Sequence, residues 1–195
     1  MNDRLAVPSA ASAASASDAP LDRAGVNPLR DELIDAGLLV STGIQGLFGR
    51  SERFERVVEA LDAFVTRLGA DQQAEVLRFP PAMSRTEFER SEYMKSFPQL
   101  AGSVHAFCGD EQRHQRVLQC LDRGEDWTES QKPTYVVMTP AACYPVYPVV
   151  ARAGALPADG RIVDVFSYCF RHEPSLDPTR MQLFRMREYV RIGTP

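Results

Sequence analysis

A long β-like run near one end of the sequence, residues 161–173, and the turn-rich segment after it constrain the fold most. The run carries apolar residues at the spacings of a buried strand: Ile162, Val163, Val165, Phe166, Tyr168 and Phe170. Residues 174–179 read Pro-Ser-Leu-Asp-Pro-Thr, and such turn formers reverse the chain. The next segment can therefore return antiparallel, although residues 180–188 favour a helix on propensity alone.

The return segment carries Arg180, Phe184 and Glu188 at four-residue spacing. In a strand these three side chains share one face, and in a helix they nearly do. The spacing therefore predicts a common face in either conformation. The arginines at 180, 185, 187 and 191 fit a solvated surface and a small phosphorylated ligand equally well.

A charged pair closes the long run. Because side chains alternate along a strand, Arg171 and Glu173 point to one side and His172 to the other. Such a pair at the end of an apolar strand suggests a site. A strand end that meets solvent explains it equally well.

The rest of the chain predicts one α+β domain over residues 28–195, preceded by a tail. Residues 1–27 are rich in Ala and Ser and bury too little to offset chain entropy, so we expect them to be disordered. Asn27 can cap a first helix and Pro28 can occupy its first position. Periodicity and punctuation predict helices over 51–69, 86–96 and 110–123, the last with Val117, Leu118 and Leu121 inward, and strands over 74–79, 103–108 and 135–138.

Composition restricts the class of protein. Hydrophobic residues make up 44% and the net charge is −4, which is ordinary for a globular domain and argues against a broad nucleic-acid surface. The four cysteines form no CxxC pair, which favours a reducing cytoplasm. No apolar run is long enough for a membrane span, and we see no secretory signal.

Phe170-Arg171-His172-Glu173, a loop, and Arg180-x-x-x-Phe184-x-x-x-Glu188 together resemble motif 2 of the class II aminoacyl-tRNA synthetases. The resemblance implies that Arg171 binds the ATP α-phosphate and stabilises charge that develops there. It implies that Glu173 contacts the adenine edge, that Arg180 holds the terminal phosphates and that Phe184 stacks on adenine. Motif 2 is a hairpin, so the resemblance also predicts a strand where propensity favours a helix.

The segment Thr139-Pro-Ala-Ala-Cys143-Tyr-Pro is similar to the cysteine-containing segment of the amino acid:[carrier protein] ligases and of the atypical seryl-tRNA synthetases of methanogens. The resemblance implies that Cys143 and Glu188 are two ligands of a zinc ion that binds the substrate's α-amino group, with a third ligand beyond residue 195. Taken alone, Cys143 is more often a buried apolar residue.

These resemblances imply an incomplete class II catalytic domain, an antiparallel sheet flanked by helices that lacks the motif 3 half. Residues 74–98 resemble the motif 1 region, which forms a homodimer interface, and motif 2 spans about 161–191. The implied function is ATP- and Mg²⁺-dependent activation of a small amino acid such as glycine or alanine. Transfer to the phosphopantetheine thiol of a carrier protein follows. The resemblance argues against tRNA as a partner and implies that the truncated form is weak or inactive. A non-catalytic remnant or binding module, and an atypical seryl-type tRNA synthetase, remain as alternatives.

Overall fold

The computed structural model describes residues 27–193 of the chain. The expected disordered tail therefore lies outside the described residues, apart from Asn27. The helices are α1 (Pro28–Asp35), α2 (Glu52–Leu68), α3 (Arg85–Arg90), α4 (Tyr93–Ser96), α5 (Glu111–Arg123) and α6 (Val146–Arg152). The strands are β1 (Leu39–Ser41), β2 (Phe48–Arg50), β3 (Glu75–Arg78), β4 (Ala82–Ser84), β5 (Ser103–Phe107), β6 (Gln131–Met138), β7 (Arg161–Phe170) and β8 (Leu183–Ile192).

Local capping explains where the helices begin. Asn27 Oδ1 accepts a hydrogen bond from the Arg30 backbone N–H at 3.1 Å, and Pro28 opens α1, as the sequence predicts. Ser51 caps α2 through the Phe54 N–H, and Asp110 caps α5 through the Arg113 N–H. Each side-chain oxygen satisfies a donor that the first helical turn leaves without a partner.

The helix expected over residues 86–96 is broken into α3 and α4. Ser91 donates its hydroxyl to the Phe88 carbonyl at 2.6 Å, and Glu92 has a φ of 61°. A serine hydroxyl that bonds the backbone competes with the helical ladder, and a left-handed residue ends it. The inward orientation expected for Leu118 and Leu121 of α5 is also wrong, because these side chains are 40% and 54% exposed.

The strands form a pair and two three-stranded sheets. β1 pairs with β2; one sheet has the order β3-β7-β8 and the other β4-β6-β5. β7 and β8 are antiparallel from Arg161 opposite Ile192 to Phe170 opposite Leu183, whereas β3 joins β7 in parallel. The helix that propensity favours over 180–188 is therefore wrong, because pairing with β7 and burial on the sheet override intrinsic preference.

The β7–β8 hairpin has two faces, because residues directly opposite in an antiparallel pair project to the same side. The inner face packs under α6 and carries Val163, Val165, Ser167, Cys169, Phe184, Met186, Glu188 and Val190. The outer face packs under α2 and carries Asp164, Phe166, Tyr168, Arg185, Arg187 and Tyr189. Among residues 27–193, no helix is long and apolar enough to cross a membrane.

Candidate active site

The turn of the β7–β8 hairpin begins where the two strands separate. The Phe170 N–H donates to the Thr139 carbonyl at 2.8 Å, and the Arg171 N–H donates to the Gln182 carbonyl at 2.9 Å. These bonds fix the backbone on both sides of the turn. They also bring segment 139–143, which follows β6, against the end of β7.

Arg171 lies over an aromatic ring. Its Nε donates to the Pro140 carbonyl at 3.0 Å, and its guanidinium carbon lies 5.4 Å from the centroid of Phe184. A guanidinium over an aromatic face is attracted by the ring quadrupole. The pair therefore holds a fixed positive charge and a flat apolar surface at one place.

Glu173 and Arg180 form an ion pair across the turn. Together with Arg171 and Phe184 they line a cavity of about 300 Å³, which Pro178, Thr179 and Met181 complete. The structure thus brings together the four side chains that motif 2 predicts. Their roles toward a nucleotide remain predictions.

The turn itself is ordered by an aspartate. Asp177 Oδ1 accepts hydrogen bonds from the Thr179 N–H and hydroxyl at 2.9 and 2.7 Å. These bonds, the backbone one first, lower the pKa of Asp177, because they favour its charged form. The carbonyl of Asp177 accepts the Arg180 N–H at 3.0 Å, which sets where Arg180 leaves the turn.

Cys143, which follows β6, and Glu188 of β8 lie next to each other. Glu188 projects from the inner face, and its Oε2 accepts the Cys143 N–H at 2.8 Å. Burial, followed by the nearby Glu188 carboxylate, raises the pKa of Cys143 to about 11. Without a metal the thiol is therefore protonated at neutral pH.

The two side chains offer one sulfur and one carboxylate donor, a set that zinc accepts. Within residues 27–193, no group of three His, Cys, Asp or Glu side chains could hold a metal ion. The donor pair therefore fits part of the expected zinc site. His105, His114 and His172 do not join it.

A second cavity, of about 580 Å³, opens beside Cys143. It lies between α3 and α6 and is lined by Glu87, Arg90, Ser91, Cys143, Tyr144, Tyr147, Pro148 and Ala151. Burial raises the pKa of Tyr144, Cys143 raises it further, and Arg171 lowers it. Tyr144 therefore lies within electrostatic reach of both cavities.

Sequence reasoning did not identify Tyr144, Tyr147 or Arg90 as site residues. The tyrosines stand one and four residues after Cys143, a spacing that would bring Tyr147 back toward Cys143 if a helix began there. Arg90 has no local signal, because only the packing of α3 against the segment before α6 brings it to the cavity.

Comparison with known proteins places the chain beside two curated relatives from Bradyrhizobium diazoefficiens. It is 47% identical over 165 residues to a protein named amino acid–[acyl-carrier-protein] ligase 1, covering 85% of this chain and 50% of the relative. It is 46% identical over 164 residues to amino acid–[acyl-carrier-protein] ligase 2, covering 84% and 48%. The chain thus spans about half the length of these relatives. No protein-family profile matches it.

Solved structures share the fold at low sequence identity. The seryl-tRNA synthetase of M. kandleri, solved with A. aeolicus tRNASec, superposes with a TM-score of 0.69 at 17% identity, over 84% of this chain and 33% of that one. A threonyl-tRNA synthetase structure from Cryptosporidium parvum gives 0.55 at 12% identity, over 80% and 34%. Prolyl-tRNA synthetase from Giardia lamblia, bound to prolyl-adenylate, gives 0.55 at 13%, over 80% and 28%. The chain is therefore a homologue of the amino acid–[acyl-carrier-protein] ligases with the class II aminoacyl-tRNA synthetase fold, as its motif 2 predicts.

Proposed function

We propose that this chain forms the nucleotide-binding part of an enzyme that activates a small amino acid with ATP and transfers it to the phosphopantetheine thiol of a carrier protein. One observation carries the proposal. Arg171, Glu173, Arg180 and Phe184 line a single cavity, and Glu188, on the same strand as Phe184, accepts the Cys143 N–H. The names of the two relatives support the carrier protein as acceptor.

In the first step, a carboxylate oxygen of the amino acid attacks the α-phosphorus of ATP and pyrophosphate leaves. Arg171 would bind the α-phosphate, where its positive charge would stabilise the negative charge that develops during attack. Arg180 would release Glu173 and hold the terminal phosphates, which Mg²⁺ also neutralises. Adenine would replace the Arg171 guanidinium on the Phe184 ring, and Glu173 would then be free to accept from the adenine amino group.

Cys143 and Glu188 would hold two positions of a zinc ion, with a third ligand from outside the described residues. Bound there, zinc would supply a positive centre for the α-amino group of the amino acid. The Cys143 thiol would lose its proton when zinc binds, since the metal ligand is a thiolate.

The second cavity offers the carrier protein's thiol a route to the adenylate. It reaches from the surface to Cys143 between Arg90 and Tyr147. The thiol sulfur would attack the carbonyl carbon of the adenylate, AMP would leave, and the thiol proton would pass to solvent. Because tRNA is a polyanion, the net charge of −4 fits a small carrier protein as acceptor better than it fits tRNA.

A second copy of the chain would cover α2. The helix exposes Val57, Leu61, Phe64 and Leu68 by 68%, 59%, 48% and 66%, and their spacing of four, three and four residues forms a helix-packing seam. We expect Leu61→Asp to shift the protein from dimer to monomer in sedimentation equilibrium. Ala63→Asp, exposed on the same helix, is the matched control; equal association of both variants would exclude this interface.

The free cysteines suit a reducing cytoplasm.

The experiment that tests the proposal is amino-acid-dependent exchange of pyrophosphate into ATP, with a panel of small amino acids and added zinc. It should be run on this chain and on a version joined in register to the remaining half of the Bradyrhizobium relative. We expect exchange with glycine or alanine in the joined version, and its loss in Arg171→Ala but not in Arg191→Ala. No exchange in either form would favour a non-catalytic binding module, and charging of bulk tRNA would favour a tRNA synthetase.

A further inference from the structure

We propose that Gln182 is a positioning residue of the nucleotide cavity, which it holds in place by clamping the hairpin turn to the β1–β2 loop, residues 42–47. Neither the motif nor the comparisons assign a role to this residue. The inference rests on the proposed function only in taking ATP as the ligand of the cavity.

Gln182 joins three segments through its own atoms. Its side-chain Nε2 donates to the Gln45 carbonyl at 2.7 Å, and its backbone N–H donates to the Gly46 carbonyl at 2.7 Å. Its carbonyl accepts the Arg171 N–H at 2.9 Å. The residue is 5% exposed, so these groups cannot exchange their partners for bulk water without a cost.

Gly46 allows the loop to approach this closely. It is buried, its φ is +73°, and a Cβ at this position would lie 3.0 Å from Gln182 Cγ and 3.3 Å from Gln182 N. Only glycine adopts this backbone without strain. Gly43 lies in the same loop with a φ of +84°, but a Cβ there would meet nothing within 4 Å. The two glycines therefore differ in their contact with Gln182 and share their backbone requirement.

The clamp sits where it can position the cavity. Gln182 stands between Arg180 and Phe184 in the chain, and its carbonyl holds the backbone of Arg171. Three of the four proposed nucleotide contacts thus leave from backbone next to this residue. Within the turn, the Asp177 bonds to Thr179 and the Glu173–Arg180 pair are exposed and are weaker restraints than buried ones, whereas the His172 N–H is held by the Leu100 carbonyl at 2.9 Å.

The test compares Gln182→Met and Gly46→Ala with the control Gly43→Ala. Methionine keeps the length of Gln182 and removes its side-chain amide, including the Nε2 donor to the Gln45 carbonyl, and Gly46→Ala breaks the clamp from the opposite side. Amide hydrogen exchange of residues 171–182 reports the order of the turn without any ligand. Titration with ATP reports its affinity, and thermal unfolding reports the global fold.

We expect both clamp variants to exchange about tenfold faster over residues 171–182 and to bind ATP about tenfold more weakly. Tenfold corresponds to about 1.4 kcal/mol, the order of one intramolecular hydrogen bond. Gly43→Ala should lose some thermal stability, because both glycines have a positive φ, but less than Gly46→Ala, and it should keep wild-type exchange in the turn. Unchanged exchange in Gln182→Met, or equal effects of the two glycine variants, would overturn the clamp. A wild type that binds no ATP would instead reject the proposed ligand, and the exchange data would decide the clamp alone.

Discussion

The β7–β8 hairpin buries two faces of different chemistry. On the inner face, Val163 and Val165 are fully buried in an apolar core under α6, and Glu188 is the charged side chain among them. On the outer face, Asp164 is 4% exposed and lies among arginines and tyrosines under α2. The comparison separates two arrangements of buried charge: the outer charges are paired with one another, whereas Glu188 lies against Cys143 and accepts its N–H.

The outer face is held by a charge network. Arg187 donates to both carboxylate oxygens of Asp164 at 2.9 and 2.6 Å, and also to the Asp62 carbonyl and the Thr66 hydroxyl of α2. The bond to Asp164 raises the pKa of Arg187, so the arginine stays charged. The side of α2 toward this network mixes polar groups with the half-buried Val58 and Val65, whereas the apolar seam stays exposed.

Breaking the outer network should have the largest effect. Arg187→Ala leaves the buried Asp164 carboxylate without its bidentate partner, and removal of one member of a buried pair costs about 3–5 kcal/mol. Denaturant unfolding should show this loss relative to wild type. Arg191→Ala, on the exposed end of the same strand, should change the free energy of unfolding by less than about 0.5 kcal/mol. Similar losses in both variants would mean that the network contributes nothing specific.

The apolar inner face should respond by an intermediate amount. Val163→Ala removes two methyl groups from a side chain with 0% exposure, and the lost burial plus the remaining cavity should cost about 2 kcal/mol. The same unfolding measurement checks it. Val76→Ala on β3, where the side chain is 60% exposed, is the control, and a cost as large as that of Val163→Ala would mean that the loss does not report burial on the inner face.

Sequence reasoning predicted β7, the helix α2 and the residues of the nucleotide cavity, but it did not predict the ion pairs of the outer face. Periodicity identified β7 and the helix of residues 51–69, and the motif placed Arg171, Glu173, Arg180 and Phe184 at one cavity. The side chains of Arg185 and Arg187 were left open between a solvated surface and a phosphate site; the first interpretation is wrong, because they are only 15% and 11% exposed and pair with carboxylates. Their carboxylate partners, Glu55 and Asp164, are distant in sequence, so only the packing of α2 on the sheet reveals the pairs.

The amphipathic pattern of α2 also shows a limit of periodicity. The pattern predicts a helix with one apolar face, and the helix is there. It does not say which neighbour covers that face: within residues 27–193, Phe54, Val58 and Val65 are half-buried and the rest of the apolar face is exposed. The conformation of residues 180–188 likewise depends on a neighbour that is distant in sequence. Local propensity favours a helix there, but pairing with β7 makes the segment a strand.

A Glu188 variant should distinguish a role in metal binding from a role in stability. Glu188→Gln keeps an oxygen that accepts the Cys143 N–H, so the free energy of unfolding should change by less than about 1 kcal/mol. The variant loses the negative charge that a zinc ligand needs. In the version joined to the relative's other half, zinc retention against a chromogenic chelator should fall at least about tenfold. Wild-type retention would remove Glu188 from the metal site, and a loss of several kcal/mol in stability would make it a structural residue.

Ionisation of the Cys169 thiol should have the smallest effect on the free energy of unfolding, and at neutral pH this effect is zero. Burial raises the pKa of Cys169 from 9.0 to about 12, so the thiol is neutral in both folded and unfolded chains below pH 9. Above pH 9 the unfolded thiol ionises first, and the free energy of unfolding should decrease as the pH rises toward 12. At pH 8, iodoacetamide should modify the exposed Cys108 and leave Cys169 unmodified until the chain unfolds, as mass spectrometry of digested samples would show. Equal labelling rates at the two positions would mean that the inner face opens to solvent far more often than its apolar packing implies.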